Sequence, residues 1–316
     1  MTLKKAANTV LKQCVDLRKK ETLLIITDMQ RKKIARAIYE AAFHLCRHVM
    51  MVTIPVAEVN GEEPPAIVSE VMKKYDVIIA PTTRSITHTM AVKNARNKGA
   101  RVATMPGITE AVLKRGMSAD YAKVEELSCR IISALRKGTA IRITTKKGTD
   151  ITIHRKKGSK VIADSGFIRK GGLANLPAGE AMLVPDYGRT SGVFVVDASM
   201  GGIGKVDRPI RVAVKNGFAV RIGGGRAANS LRNTLKKYGK NAYNIAELGI
   251  GTNYKARISG VVLEDEKVFG TAHIALGNSK GLGGPTYAPC HLDGVFRKPT
   301  IYVDKKVIMK DGKLLI

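Results

Sequence analysis

The stretch Cys290-His291-Leu292-Asp293-Gly294 carries the chain's most suggestive spacing. Side chains two residues apart on a β-strand share a face, so His291 and Asp293 can reach one metal ion. A second histidine, His273, lies upstream in Gly270-Thr271-Ala272-His273-Ile274-Ala275-Leu276-Gly277. Two histidines and one carboxylate are the smallest protein set that holds a catalytic divalent metal and leaves positions open for substrate. The plainer alternative is a structural His–Asp hydrogen bond, although a buried Asp is costly unless it is paired or bound to a cation. Two acidic residues stand in unusual surroundings. Glu180 follows Asn175-Leu176-Pro177-Ala178-Gly179, and Glu247 sits in Ala246-Glu247-Leu248-Gly249-Ile250-Gly251. Neither stretch has the composition of a solvated charged helix. Each can be a metal ligand, a general base acting on a metal-bound water, or a loop residue closing its own backbone. A second metal would need both, because three ligands rarely hold two ions. The five residues Glu180, Glu247, His273, His291 and Asp293 are therefore expected to converge on a metal site.

Other motifs are weaker. Arg84-Ser85-Ile86-Thr87-His88-Thr89 directly follows an expected strand, and ligands bind outside the carboxyl ends of parallel strands. His88 can then face a substrate; the alternative is helix capping by Thr87 beside a partly exposed His88. Gly201-Gly202-Ile203-Gly204 does not open a helix within a βαβ unit. Gly223-Gly224-Gly225-Arg226 opens a helix but lacks the Lys-Ser/Thr of a P-loop. Turns and close packing explain both better than nucleotide binding does. No GxSxG motif occurs.

These residues need elements to position them. Leu3, Ala6, Ala7, Val10, Leu11, Cys14 and Leu17 are spaced as an amphipathic helix over 3–20. Apolar strands are then expected at 21–28, 49–54, 76–81 and 101–104. They alternate with helices at 31–47, which Asp28 can cap, from Pro64-Pro65 to 74, at 89–98, and at 121–137 before Gly138. Such alternation indicates a parallel sheet with helices on both sides. Beyond Gly138 glycine is dense and strands are short: 140–145 and 150–154 as a hairpin, then 181–184, 192–198, 210–215, 218–222, 300–303 and 306–309. One helix, 227–238, interrupts them. The expected fold class is α/β: an N-terminal parallel-sheet α/β domain, 1–138, followed by a mainly antiparallel, β-rich (α+β) metal-binding catalytic domain, 139–316.

With 44% apolar and 25% charged residues in 316, the chain reads as folded and soluble. No apolar run approaches the roughly 20 residues of a membrane span. The N-terminus lacks a signal-peptide core, so a cytoplasmic location is expected. Cys14, Cys46, Cys129 and Cys290 show no CxxC spacing and read as buried free thiols. The net charge of +28 favours acidic partners. The excess is spread along the chain, however, with 24 basic and 13 acidic residues in 1–137. Aromatic content is only 5% and tryptophan is absent, which leaves few platforms for stacking single strands. Nucleic acid is expected to bind only non-specifically, through a lysine-rich surface.

Four segments, taken in order, carry a family resemblance: Asn175 to Glu180, Glu247-Leu248-Gly249-Ile250-Gly251-Thr252-Asn253, Gly270 to Gly277, and His291-Leu292-Asp293. Together with Pro299 to Asp304 and Asp311-Gly312, the set resembles the aminopeptidase T/aminopeptidase S family of metallopeptidases. The resemblance covers the second domain well and the first loosely. It implies a dimeric, two-domain exopeptidase with two divalent ions (Zn, Co or Mn) held by Glu180, Glu247, His273, His291 and Asp293. A metal-activated water then cleaves N-terminal residues from peptides, and Glu180 or Glu247 takes its proton. Where those peptidases have a tyrosine after the first histidine, this chain has Lys280. A related branch contains 2,5-dihydroxypyridine 5,6-dioxygenase, with one Fe(II) held by two histidines and an aspartate. Thr87-His88 and Met105-Pro106-Gly107 look like that branch, which implies His88 as an acid–base partner. The hydrolase is the leading expectation and the dioxygenase its alternative.

Overall fold

The computed structural model describes residues 1–316. The chain forms two compact units, one of residues 1–123 and 165–178, the other of 124–164 and 179–316.

The first unit alternates as its apolar runs require. Its helices are α1 (Leu3–Thr9), α2 (Lys32–Phe43), α3 (Ala66–Met72), α4 (Met90–Asn97) and α5 (Glu110–Gly116). Its first four strands are β1 (Thr22–Thr27), β2 (His48–Thr53), β3 (Val77–Ala80) and β4 (Arg101–Thr104). All pair in parallel, in the order β2-β1-β3-β4. The central strands are buried on both faces, while β2 at the edge is half-exposed, as an edge position allows. The opening helix stops short of 20. It widens into a π turn over Val10–Cys14, and Asp16 then takes φ 44°, which a right-handed helix cannot continue through. Asp28 accepts from the backbone N–H groups of Gln30 (3.0 Å) and Arg31 (3.2 Å). It thus closes the turn that launches α2.

The division between units falls inside α6 (Tyr121–Lys137), not at its end near residue 138. Beyond it come β5 (Ala140–Thr144), β6 (Asp150–His154) and β7 (Val161–Asp164). The short β8 (Leu173–Asn175) then joins the edge of the parallel sheet, with Val102 opposite Leu173 and Thr104 opposite Asn175. A single boundary does not allow for this return, because a three-residue strand carries too little pattern to reveal its partner.

The remaining strands are β9 (Glu180–Leu183), β10 (Thr190–Val196), β11 (Ser199–Met200), β12 (Gly204–Lys205), β13 (Ile210–Lys215) and β14 (Phe218–Gly223). After helix α7 (Arg226–Tyr238) come β15 (Ile245–Gly251), the one-turn α8 (Val262–Asp265), β16 (Thr271–Gly277) and β17 (His291–Arg297). The chain closes with β18 (Thr300–Val303), β19 (Lys306–Lys310) and β20 (Lys313–Leu314). They build two antiparallel sheets, β14-β13-β10-β6-β5-β18-β19-β20 and β12-β11-β17-β16-β15-β9-β7. The core draws Ile141, Ile151 and Val212 from the first, Leu248, Ile274 and Phe296 from the second, and Leu231 from α7. In the first sheet β5, β6 and β13 alternate buried with more exposed residues, whereas β15 and β16 are buried throughout. Any polar side chain on those two strands must therefore find a partner inside the protein.

Candidate metal centre

Four neighbouring strands supply the centre. Glu180 opens β9, Glu247 lies on β15, His273 on β16, and His291 and Asp293 on β17. Register brings them to one face. Gly251 is opposite Glu180, Gly249 opposite His273, Glu247 opposite Ala275, Ala275 opposite Asp293, and Gly277 opposite His291. Directly paired residues in an antiparallel sheet point the same way, so all five acidic and imidazole groups share that face with small residues between them. Gly249 is one such spacer. A Cβ there would lie 2.1 Å from His273 Cε1 and Nε2, so the imidazole lies over bare backbone. From the sequence only His291 and Asp293 are expected to share a strand; the structure puts all five on strands, Glu247 included.

The two Nε2 atoms look toward a shared carboxylate. His291 Nε2 is 3.1 Å from Glu247 Oε2 and 3.3 Å from Asp293 Oδ1. His273 Nε2 is 3.6 Å from Glu247 Oε1 and 3.3 Å from Glu180 Oε2. Burial pushes the Glu247 carboxyl up, but the two imidazoles outweigh it and hold that carboxyl well below the usual range. Burial likewise opposes a charge on His273, yet Glu247, Glu180 and Asp293 raise it to about 9. His291 is pushed up in the same way by Asp293 and Glu247. Desolvation raises the half-buried Asp293 carboxyl, but the imidazoles, His291 most of all, hold it below its ordinary value.

A second layer of charge lies beneath. Glu264-Asp265-Glu266-Lys267, at α8 and the turn after it, is buried along its whole length. The Glu264 carboxylate accepts from Arg257 N–H, and that of Asp265 from the backbone N–H of Ser259 (2.7 Å) and Gly260. Lys267 is 2% exposed. Its ammonium donates to Glu180 Oε1 and lies 2.8 Å from Glu266 Oε1. Burial lowers the Lys267 pKa, but Glu180 and Glu266 more than offset it and keep the group charged. Glu266 is pushed up to about 8, mainly by burial. Sequence reasoning missed Lys267 and Glu266, because four charged residues in a row read as solvated. The available signal was their position, just ahead of a mostly apolar strand that carries His273.

The donor set fits a divalent metal. His291 Nδ1 donates to the Asn278 carbonyl (2.8 Å), which fixes the ring and turns Nε2 toward Glu247 and Asp293, the orientation of metal-ligating histidines. Glu180 Oε2 is buried without a hydrogen-bond partner, an unusual state for a carboxylate oxygen. Ligand atoms of Glu180, Glu247 and His273 lie within 4.8 Å of one another, and so do those of Glu247, His291 and Asp293.

Other expectations land elsewhere. His88 lies in the first unit, in the turn between β3 and α4. Thr89, not Thr87, caps α4, accepting from Val92 N–H. Thr87 instead exchanges hydrogen bonds with Ser85, Thr104 and Asn175. Lys280 is exposed on a short 3-10 turn; the buried positive charge of this region is Lys267. The four cysteines are free, but Cys129 is exposed on α6 and Cys290 is half-buried. No helix is long and apolar enough to cross a membrane.

Known proteins share this architecture. Residues 2–316 match the family model described as 2,5-dihydroxypyridine 5,6-dioxygenase. A curated 2,5-dihydroxypyridine 5,6-dioxygenase from Pseudomonas putida is 26% identical over 157 residues. That match spans 44% of this chain and 43% of the relative, so it covers less than half of the relative's length. The solved structure of the dioxygenase from Pseudomonas putida KT2440 has a TM-score of 0.85 at 19% identity, covering 99% of this chain and 96% of that one. Wild-type AmpT from Thermus thermophilus has a TM-score of 0.75 at 16% identity, covering 99% of both chains. At these identities the two structures speak for the fold alone. The aminopeptidase expectation keeps only that likeness, while the family match falls on the dioxygenase alternative.

Proposed function

The chain belongs to the 2,5-dihydroxypyridine 5,6-dioxygenase family, and from that premise we propose that it is a metal-dependent dioxygenase that opens a dihydroxylated aromatic ring. The observation that carries this reading is the convergence of His273, His291 and Asp293 on one sheet face, around the Glu247 carboxylate. In this reading His273, His291 and Asp293 hold one Fe(II), which supplies Lewis acidity and open positions for ring oxygens and dioxygen. The chain's own groups do the rest. The Asn278 carbonyl orients His291 through Nδ1. Glu247, reached by both imidazoles, holds their rings in place beside the ion. His88 is the proton-transfer candidate, on the family resemblance alone.

One observation favours a second reading. Glu247 is common to both groups of closely spaced ligand atoms, an arrangement that suits two ions bridged by a carboxylate, as in a metallo-aminopeptidase. A single comparison separates the two. Protein loaded anaerobically with Fe²⁺ and mixed with 2,5-dihydroxypyridine should consume oxygen and lose the ring absorbance. Protein loaded with Zn²⁺ or Co²⁺ should leave a leucyl amide intact. His291→Ala and Asp293→Ala should each abolish oxygen uptake together with tight metal binding. Amide cleavage without oxygen uptake would reverse the assignment.

A further inference from the structure

Resting on the one-metal reading above, we propose that Lys267 is the centre's resident second cation: its ammonium brings the positive charge a second metal would bring and limits the centre to one divalent ion. The geometry comes first. A two-ion centre needs Glu180 as a ligand beside Glu247, because His273, His291 and Asp293 satisfy only one. One oxygen of Glu180 is already committed to the Lys267 ammonium, so only Oε2 faces His273. Lys267 cannot easily withdraw. Its N–H donates to the Glu264 carbonyl (3.0 Å), its carbonyl accepts from Asn253 N–H (2.8 Å), and Glu266 Oε1 lies on its ammonium at 2.8 Å.

Charge points the same way. The ammonium already sits among carboxylates, in contact with Glu180 and Glu266, and Asp164 stands opposite Glu180 in the register of β7 and β9. A cation held there repels a second divalent ion brought to the remaining oxygen of Glu180, and that repulsion is strong where water is excluded.

The test is anaerobic titration of metal-free protein with Mn²⁺, read by metal analysis after dialysis and by electron paramagnetic resonance. The wild-type chain should retain one Mn²⁺ with the spectrum of isolated ions. Lys267→Arg should do the same. Lys267→Met should retain two Mn²⁺ with the signal of a coupled pair. One ion in both wild type and Lys267→Met would overturn this inference and leave the one-metal reading standing. Two ions, or none, in the wild type would overturn the reading itself. Should Lys267→Met fail to fold, Glu180→Gln carries the test. With Glu180 acting as the partner of Lys267 rather than as a ligand, that variant should keep its single Mn²⁺, and loss of tight binding would refute the proposal.

Discussion

A methyl group at position 249 probes how the centre is built. In Gly249→Ala the new Cβ would lie 2.1 Å from both Cε1 and Nε2 of His273. Non-bonded carbons in contact sit about 3.5–4.0 Å apart, so the shortfall is roughly 1.4–1.9 Å. The backbone cannot absorb it. Gly249 is paired directly with His273, Leu248 with Ile274 and Ile250 with Ala272, and β9 and β17 flank the two strands on either side. The imidazole must therefore swing off the sheet and take Nε2 away from Glu247. Overpacking of this kind costs about 1–3 kcal/mol, enough to lower the melting temperature by several degrees without unfolding a chain of this size. Metal binding should suffer more, because one of three ligands is lost; a fall of at least about 100-fold in affinity is expected, beyond what misplacing a supporting group costs. Equilibrium dialysis against Mn²⁺ and calorimetric melting measure the two effects. Gly223→Ala is the control, since a Cβ there meets nothing within 4 Å. If Gly249→Ala binds Mn²⁺ as tightly as the control does, His273 is not a ligand from its place over Gly249.

Three further outcomes are expected. Arg155, 4% exposed, donates to the carbonyls of Leu135, Arg136 and Gly138 at the end of α6 and to that of Ser159. Arg155→Met should cost about 2–4 kcal/mol in urea unfolding, because buried carbonyls lose charged donors; a change under about 0.5 kcal/mol would contradict that role. The Asp207 carboxylate accepts from the N–H groups of Ala227 and Arg226 at the start of α7, and these hold its pKa below the ordinary value. Its contribution to stability is therefore complete above the unfolded value of about 3.9 and is lost as pH falls through the lower folded value. Asp207→Ala should flatten the acid limb of a stability–pH curve, and an unchanged limb would show that the carboxylate is not coupled to folding. Finally, if the net charge of +28 reflects only a solvated surface, duplex DNA should bind weakly and be released by about 0.2 M salt; salt-resistant binding to a defined sequence would point to a dedicated surface.

Much of this protein is legible in its sequence, for local reasons. Continuous apolar runs such as Leu23–Ile26 fix buried parallel strands. A 3.6-residue repeat fixes α6 and α7, and a period of two fixes the β5–β6 hairpin. The same period of two puts His291 and Asp293 on one face before any fold is known. Tertiary structure alone decided the rest. Which residue lies opposite which across β9, β15, β16 and β17 is a matter of register, and register is set by pairing between segments far apart in the chain. Only that pairing shows that Gly249 makes room for His273 and that Glu247 serves both imidazoles. Lys267 and Glu180 stand 87 positions apart, so nothing in the run Glu264-Asp265-Glu266-Lys267 announces an internal ion pair rather than a solvated turn. A charged side chain is exposed by default. It becomes a buried part of a site only when the fold closes over it and supplies the opposite charge.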